Sequence, residues 1–167
     1  PKFHVDDVFE HSVKTVDFAE DSVKLAALFH DIAKPRCRTE DESGVHFYGH
    51  DVMGAKMTEE IMKRLKFSNA EIERTSKLVR WHMFYYPSYE WRKENADYNS
   101  EQIATDSNYR QSARAVFGWS DGAIRRLIQN VGGEDAIDDL MKLRIADAAA
   151  NPKSEFNPKE LDALSER

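Results

Sequence analysis

Cysteine is nearly lacking: Cys37 stands alone among 167 residues, so no disulfide can close within the chain. That usage fits a reducing compartment, and a cytoplasmic location is expected. No stretch approaches the run of about 20 apolar residues that spans a bilayer, and no secretory-signal pattern opens the chain. A membrane partner is therefore not expected. Positive charge is also in deficit, with 24 Lys and Arg against 30 Asp and Glu, for a net charge of -6. Such a balance argues against a strong non-specific grip on nucleic acid, although a local basic patch could survive it. Internal repeats, low-complexity segments and convincing strand alternation are missing as well.

What is present describes a globular protein. Hydrophobic residues make up 41% and charged residues 32%, and mean hydropathy is -0.69, which excludes a disordered tail. The length suits one domain with its own core, and residues 1–167 are read as a single domain. The chain starts at Pro1 rather than Met, and Asn157-Pro158 reads as a helix start close to the end. Both suggest an excision from something longer, with residues 151–167 beginning a further helical segment.

Apolar spacing predicts helices over 6–19, 22–34, 49–66, 69–83, 101–117, 121–131 and 134–150. Pro35 should stop the second, Ser68 or Asn69 should cap the fourth, and Glu71 and Glu73 suit its first turn. Ser120-Asp121 should cap the helix that Gly132-Gly133 closes. Residues 36–48 read as a hairpin or loop. Residues 84–100 are crowded with aromatics and broken by Pro87, which fits a loop folded on the core or an aromatic, base-stacking lid.

The most informative stretch is Leu25-Ala26-Ala27-Leu28-Phe29-His30-Asp31-Ile32-Ala33-Lys34-Pro35. It is apolar all round up to His30, so its helix should be buried. A buried helix that ends in His-Asp must find partners for both, because an unpaired buried carboxylate costs several kcal/mol. A divalent metal is one such partner, since imidazole and carboxylate are both suitable ligands.

Alone, the dipeptide means little, and a hydrogen-bonded helix end would explain it. Further residues of the same chemistry change the weight. His11 shares helical spacing with Val8, Thr15 and Phe18, and Asp147 follows Leu140 and Leu143 on one face. His50 lies near a helix start, and His82 ends the helix that carries Ile72, Leu78 and Val79. Each singly is better explained as a core or cap residue. Four histidines and two aspartates placed this way together read as a metal site.

The order His11, His30-Asp31, His50, His82, Asp147 resembles the HD superfamily of metal-dependent phosphohydrolases. Several segments resemble, more closely, the HD region of bacterial tRNA nucleotidyltransferases, the CCA-adding enzyme and poly(A) polymerase family. They are residues 4–11 (His4-Val5-Asp6-Asp7-Val8-Phe9-Glu10-His11), 25–35, 47–51 (Phe47-Tyr48-Gly49-His50-Asp51), 64–69, 120–126 and 143–147. Two departures stand out. Ala33 occupies a position where that family usually has Gly. The Gly-Ser motif with paired aspartates that marks the nucleotide-adding head is also missing, so this chain by itself should not add nucleotides.

The resemblance implies an all-α HD bundle with its site between helices, and metal ligation by His11, His30, Asp31 and Asp147. It implies a second metal position at His50 and His82, with Asp31 bridging. One or two divalent ions would be held, and Mg, Mn, Ni, Co, Fe or Zn would all suit such ligands. The implied substrates are small phosphoesters, 2′,3′-cyclic or 2′-nucleotides, or RNA ends. tRNA is the partner in the alternative, an architectural module. Lys34, one turn beyond His30 and Asp31, could neutralise a phosphate oxygen or be a solvated helix-end lysine. Arg144, three before Asp147, could orient that carboxylate, contact phosphate or form a surface ion pair. Asp31, Lys34 and Arg144 are the candidate catalytic residues. His4, His46, Cys37 and the clusters Lys63-Arg64-Lys66 and Arg125-Arg126 read as ordinary.

Overall fold

The structure, a computed structural model, describes residues 8–84 and 121–151. The expected helix over 101–117, the aromatic segment beyond Phe84, and Ser120 lie outside the described residues. The chain divides into two compact units, residues 1–83 with 128–154, and residues 84–127 with 155–167.

The first unit contains α1 (Val8–Phe18), a single 3-10 turn (Asp21–Val23), α2 (Lys24–Phe29) and α3 (Lys34–Cys37). A hairpin of β1 (Thr39–Asp41) and β2 (Gly44–His46) follows, pairing Thr39 with His46 and Asp41 with Gly44. Next come α4 (His50–Arg64), α5 (Asn69–Trp81) and, after α6 (Asp121–Val131), α7 (Glu134–Ala150). Residues 128–131 of α6 belong to the first unit. In the described part of the second unit, Arg125 and Arg126 are exposed as expected, and Ile124 and Leu127 are buried. The all-α expectation is met, the hairpin being the sole β structure among the described residues. None of the described helices is long and apolar enough to cross a membrane.

Local chemistry explains the boundaries. Ser68 accepts from the Glu71 N–H while the Glu71 side chain accepts from the Ser68 N–H, a reciprocal cap that starts α5 at Asn69. The N–H groups of Gly132 and Gly133 both reach Ile128 O and close α6. The predicted helix over 22–34 is instead divided. α2 ends at Phe29, residues 30–33 turn through Ile32 N–H to Phe29 O and Lys34 N–H to Asp31 O, and Pro35 lies in the first turn of α3. Pro35 thus begins a helix rather than stopping one, because a first-turn residue has no N–H obligation within its helix. His30 keeps helical dihedrals as the C-cap of α2, and Asp31 begins the turn. Ala33 takes an ordinary right-handed conformation there, fully buried, and needs no glycine.

α4 and α5 pack along each other, α1 lies against α2 and α7, and α2 and α7 both touch α5. Phe29, Ala55, Met62, Ile72 and Val79 form the core, with Leu25, Ile32, Ile61 and Phe67 against it. Gly54 allows α4 its close approach, since a methyl group there would stand 3.3 Å from Val79 Cγ1 and 3.7 Å from His30 O. Two expected core positions do not hold. Phe18 is 59% exposed and Leu28 37%, and the inner side of α1 is lined by Ser12 and Thr15. Both hydroxyls are satisfied four residues back, at Val8 O and His11 O.

A polar tie joins α5 to α7. Buried Asp139 accepts from Arg74 Nε at 2.9 Å and from Ser22 Oγ at 3.0 Å. Arg74→Ala should destabilise the protein by about 2–3 kcal/mol, because it strands a buried carboxylate. Asp139→Asn, which keeps acceptors, should cost less. Urea denaturation checks this, and a loss no greater than that of exposed Lys63→Ala would show the tie to be incidental.

Candidate metal centre

Six side chains predicted from the sequence converge within the first unit. His11 comes from the middle of α1, His30 from the end of α2, and Asp31 from the turn after it. His50 is the first residue of α4, His82 directly follows α5, and Asp147 lies in the last turn of α7. His30, Asp31, His50 and His82 are buried, and His11 and Asp147 half-buried.

Backbone carbonyls aim three of the four histidines. The Nδ1 atoms of His30, His50 and His82 lie 2.8, 2.7 and 2.6 Å from Ala27 O, Phe47 O and Val79 O. Each carbonyl sits three residues back: those of Ala27 and Val79 lie in the last turns of α2 and α5, while Phe47 O, ahead of α4, also accepts from the His50 N–H. With Nδ1–H donated, Nε2 is the atom each ring turns inward, and it carries a lone pair whenever the ring is neutral. This is the arrangement in which histidines usually bind metals.

Those Nε2 atoms meet. His50 and His82 Nε2 are 3.4 Å apart, and His30 and His11 Nε2 are 3.3 Å apart. Asp31 lies between the two pairs. Its Oδ2 is 3.3 Å from His30 Nε2 and 3.8 Å from His11 Nε2. Its Oδ1 is 3.6 Å from His50 Nε2 and 3.7 Å from His82 Nε2. Among the described residues Oδ1 has no hydrogen-bond partner, although Asp31 is 2% exposed. Two trios could hold a metal ion, each with its ligand atoms within 4.8 Å of one another: His11, His30 and Asp31, and Asp31, His50 and His82. Asp147 adjoins the first, its Oδ1 2.9 Å from His11 Nε2 and 3.6 Å from His30 Nε2. The donor set is imidazole nitrogen and carboxylate oxygen, converging on an orphaned buried acceptor, and it fits a divalent cation.

The electrostatics differ between the two sides of the centre. Burial opposes charge on His30, but Asp31 and Asp147 outweigh it and push the imidazole up to about 10, so a cation bound there would displace a proton from this ring. Burial would also raise the two carboxyls. His30 and Lys34 nevertheless hold Asp31 well below the usual range, and His11 and His30 hold Asp147 low. Burial lowers His50, favouring its neutral form. Lys34 Nζ sits 2.6 Å from Asp31 Oδ2 and 5.9 Å from the Phe47 ring centre. Arg144 reaches Asp147 Oδ2 at 3.4 Å.

One pair was not foreseen from the sequence. Asp51, next to His50, bonds Arg80, which precedes His82 by two, so an ion pair ties the two helix ends that carry these histidines. The sequence signal was the charge flanking each histidine, visible only once α4 and α5 are known to be neighbours. Cys37 is in neither trio, and its thiol lies 3.7 Å from Met53 Sδ.

Gly49 sets the entry to α4. It adopts φ 75 and ψ 10, and nothing lies within 4 Å of where a Cβ would stand, so conformation alone demands glycine. Gly49→Ala should therefore lower stability by about 1 kcal/mol and Gly49→Asn by less. Urea denaturation of the two variants measures the order, and an Asn variant weaker than Ala would refute it.

Comparison with known proteins agrees with this geometry. The chain is 38% identical over 95 residues to the A-adding tRNA nucleotidyltransferase of Deinococcus radiodurans, covering 52% of this chain and 22% of that protein. It is 44% identical over 62 residues to the CC-adding tRNA nucleotidyltransferase of Thermus thermophilus, covering 36% and 14%. The chain thus spans less than a quarter of either relative's length. A family model for the HD domain matches residues 8–151, from the start of α1 to just past α7 and across all six converging side chains. The chain belongs to the HD domain family.

Proposed function

We propose that the first unit houses a divalent-metal phosphohydrolase centre, with His11, His30, Asp31 and Asp147 holding one ion and Asp31, His50 and His82 a second. The observation that carries this is the division of Asp31. Its Oδ2 faces the His11–His30 pair, and its orphaned Oδ1 faces the His50–His82 pair. HD-domain proteins are in general metal-dependent hydrolases, which supports the reaction class.

Bound divalent ions would supply Lewis acidity, acidifying water and polarising phosphoryl oxygens. The chain's own groups do the positioning. Asp31 fixes the two ligand pairs relative to each other, and the carbonyls behind His30, His50 and His82 prevent ring rotation. Lys34, on the edge of the centre, offers the ammonium that a phosphate oxygen would meet. Arg144 holds Asp147 and can share its charge with the substrate. The substrates proposed are phosphomonoesters, 2′,3′-cyclic or 2′-nucleotides, and RNA ends.

A second reading, an architectural module that holds tRNA, is favoured by the names of both relatives and by the exposed Lys63, Arg64 and Lys66 around the end of α4. It predicts tRNA binding that weakens steeply with salt.

Elemental analysis and 2′,3′-cyclic AMP hydrolysis separate the two. The wild-type protein should carry about two ions per chain and turn the substrate over. His50→Ala should retain about one ion. Asp31→Asn should lose both ions and lower the rate by about 100-fold or more, with helical circular dichroism retained. Wild-type metal content with an equally active Asp31→Asn would sink the catalytic assignment. Salt-sensitive tRNA binding without metal would select the architectural reading.

A further inference from the structure

The hairpin leading into α4 carries an aromatic feature that the metal chemistry does not use. The ring of Tyr48 is 76% exposed, unusual for so large a side chain on a short, hydrogen-bonded connection. It lies nearly parallel to the ring of His46, at 10° with centroids 5.0 Å apart. Tyr48 OH is 3.2 Å from His46 Nδ1, and His46 Nε2 is 2.8 Å from Ser43 Oγ and 3.1 Å from Asp41 Oδ1. The pair is therefore held in place from the hairpin side.

The same short segment is fastened to the centre from the other side. Phe47, between the two rings, supplies the carbonyl that aims His50, and its ring lies under the Lys34 ammonium that contacts Asp31. Gly49, in the left-handed region, then turns the chain so that His50 is buried two residues after an exposed Tyr48. An outward aromatic surface held by hydrogen bonds and the buried histidine–aspartate cluster are thus separated by one residue, Gly49. An exposed aromatic ring two positions along the chain from a buried histidine of the centre suits a ligand with a flat aromatic part joined to a phosphate.

We infer that Tyr48, backed by His46, is a stacking platform for the nucleobase of a nucleotide whose phosphate lies at the metal centre, and so biases this site toward nucleotides over base-free phosphoesters. The inference rests on the metal-centre reading above. Stacking of a base on an aromatic side chain is sequence-tolerant, because every base has a π-face, so the platform selects for a base without choosing among bases.

The test compares adenosine monophosphate with ribose 5-phosphate by calorimetry on the metal-loaded protein. The wild type should bind the adenosine compound about tenfold more tightly. Tyr48→Ala should abolish that preference, with ribose 5-phosphate affinity unchanged, and Tyr48→Phe should keep it. His46→Ala should weaken it partly. The high exposure of Tyr48 makes misfolding of these variants unexpected, and an unchanged thermal midpoint checks this. An undiminished preference in Tyr48→Ala, or no preference in the wild type, overturns the platform. Hydrolysis of a base-free phosphoester by the same wild-type protein would leave the metal-centre reading standing in either case. Loss of all phosphoester hydrolysis alongside intact, Tyr48-dependent nucleotide binding would instead refute the hydrolase reading and keep the platform.

Discussion

The first unit depends on how one carboxylate is accommodated. Asp31 is almost wholly buried, and an ionised carboxylate in such a place costs several kcal/mol unless it is paired or coordinated. One oxygen has Lys34 and faces His30 and His11; the other faces two lone-pair nitrogens. Every neighbouring element has a role in fixing that arrangement. The break after Phe29 turns Asp31 inward, Gly54 lets α4 approach the turn, and the Asp51–Arg80 pair draws the ends of α4 and α5 together. The Arg74–Asp139 tie holds the helix that ends at His82 against the helix that carries Asp147. The apolar core supplies the stability against which these polar contacts are set.

Much of this was legible in the sequence, for identifiable reasons. Ligand chemistry is confined to few residue types, and His11, His30, Asp31, His50, His82 and Asp147 all proved to converge. Capping residues act locally, so Ser68 and the Gly132-Gly133 pair gave boundaries that hold. Hydrophobic periodicity located α1, α4, α5, α6 and α7 because those helices bury one face only.

The misreadings have one cause, which is that periodicity carries no tertiary information. Pro35 is equally compatible with ending one helix and opening the next, and only the turn at 30–33 decides between them. Phe18 falls on the expected stripe of α1, yet it lies at the end of a short helix and is exposed, while Thr15 of the same stripe and Ser12 beside it are buried. The Asp51–Arg80 pair joins residues 29 apart and could not be seen before α4 and α5 were known to be neighbours. The carbonyls of Ala27, Phe47 and Val79 have no sequence signature, although the placement of His30, His50 and His82 at helix ends made such carbonyls available.

Those carbonyls decide how the centre should be understood. A histidine packed merely for structure can rotate its ring to give a neighbouring carboxylate an N–H. His82 cannot do so without abandoning Val79 O, and His50 would give up its Nδ1 bond to Phe47 O, which also accepts from the His50 N–H. Protonating them would supply Asp31 Oδ1 with a donor, but burial holds His50 toward its neutral form, and a second charge would repel the first across 3.4 Å. One group that satisfies two lone pairs and a carboxylate oxygen together is a positive charge that brings no hydrogen of its own. A divalent cation meets that description, and the geometry that makes the site costly to fold without one is the same geometry that would make it bind one tightly.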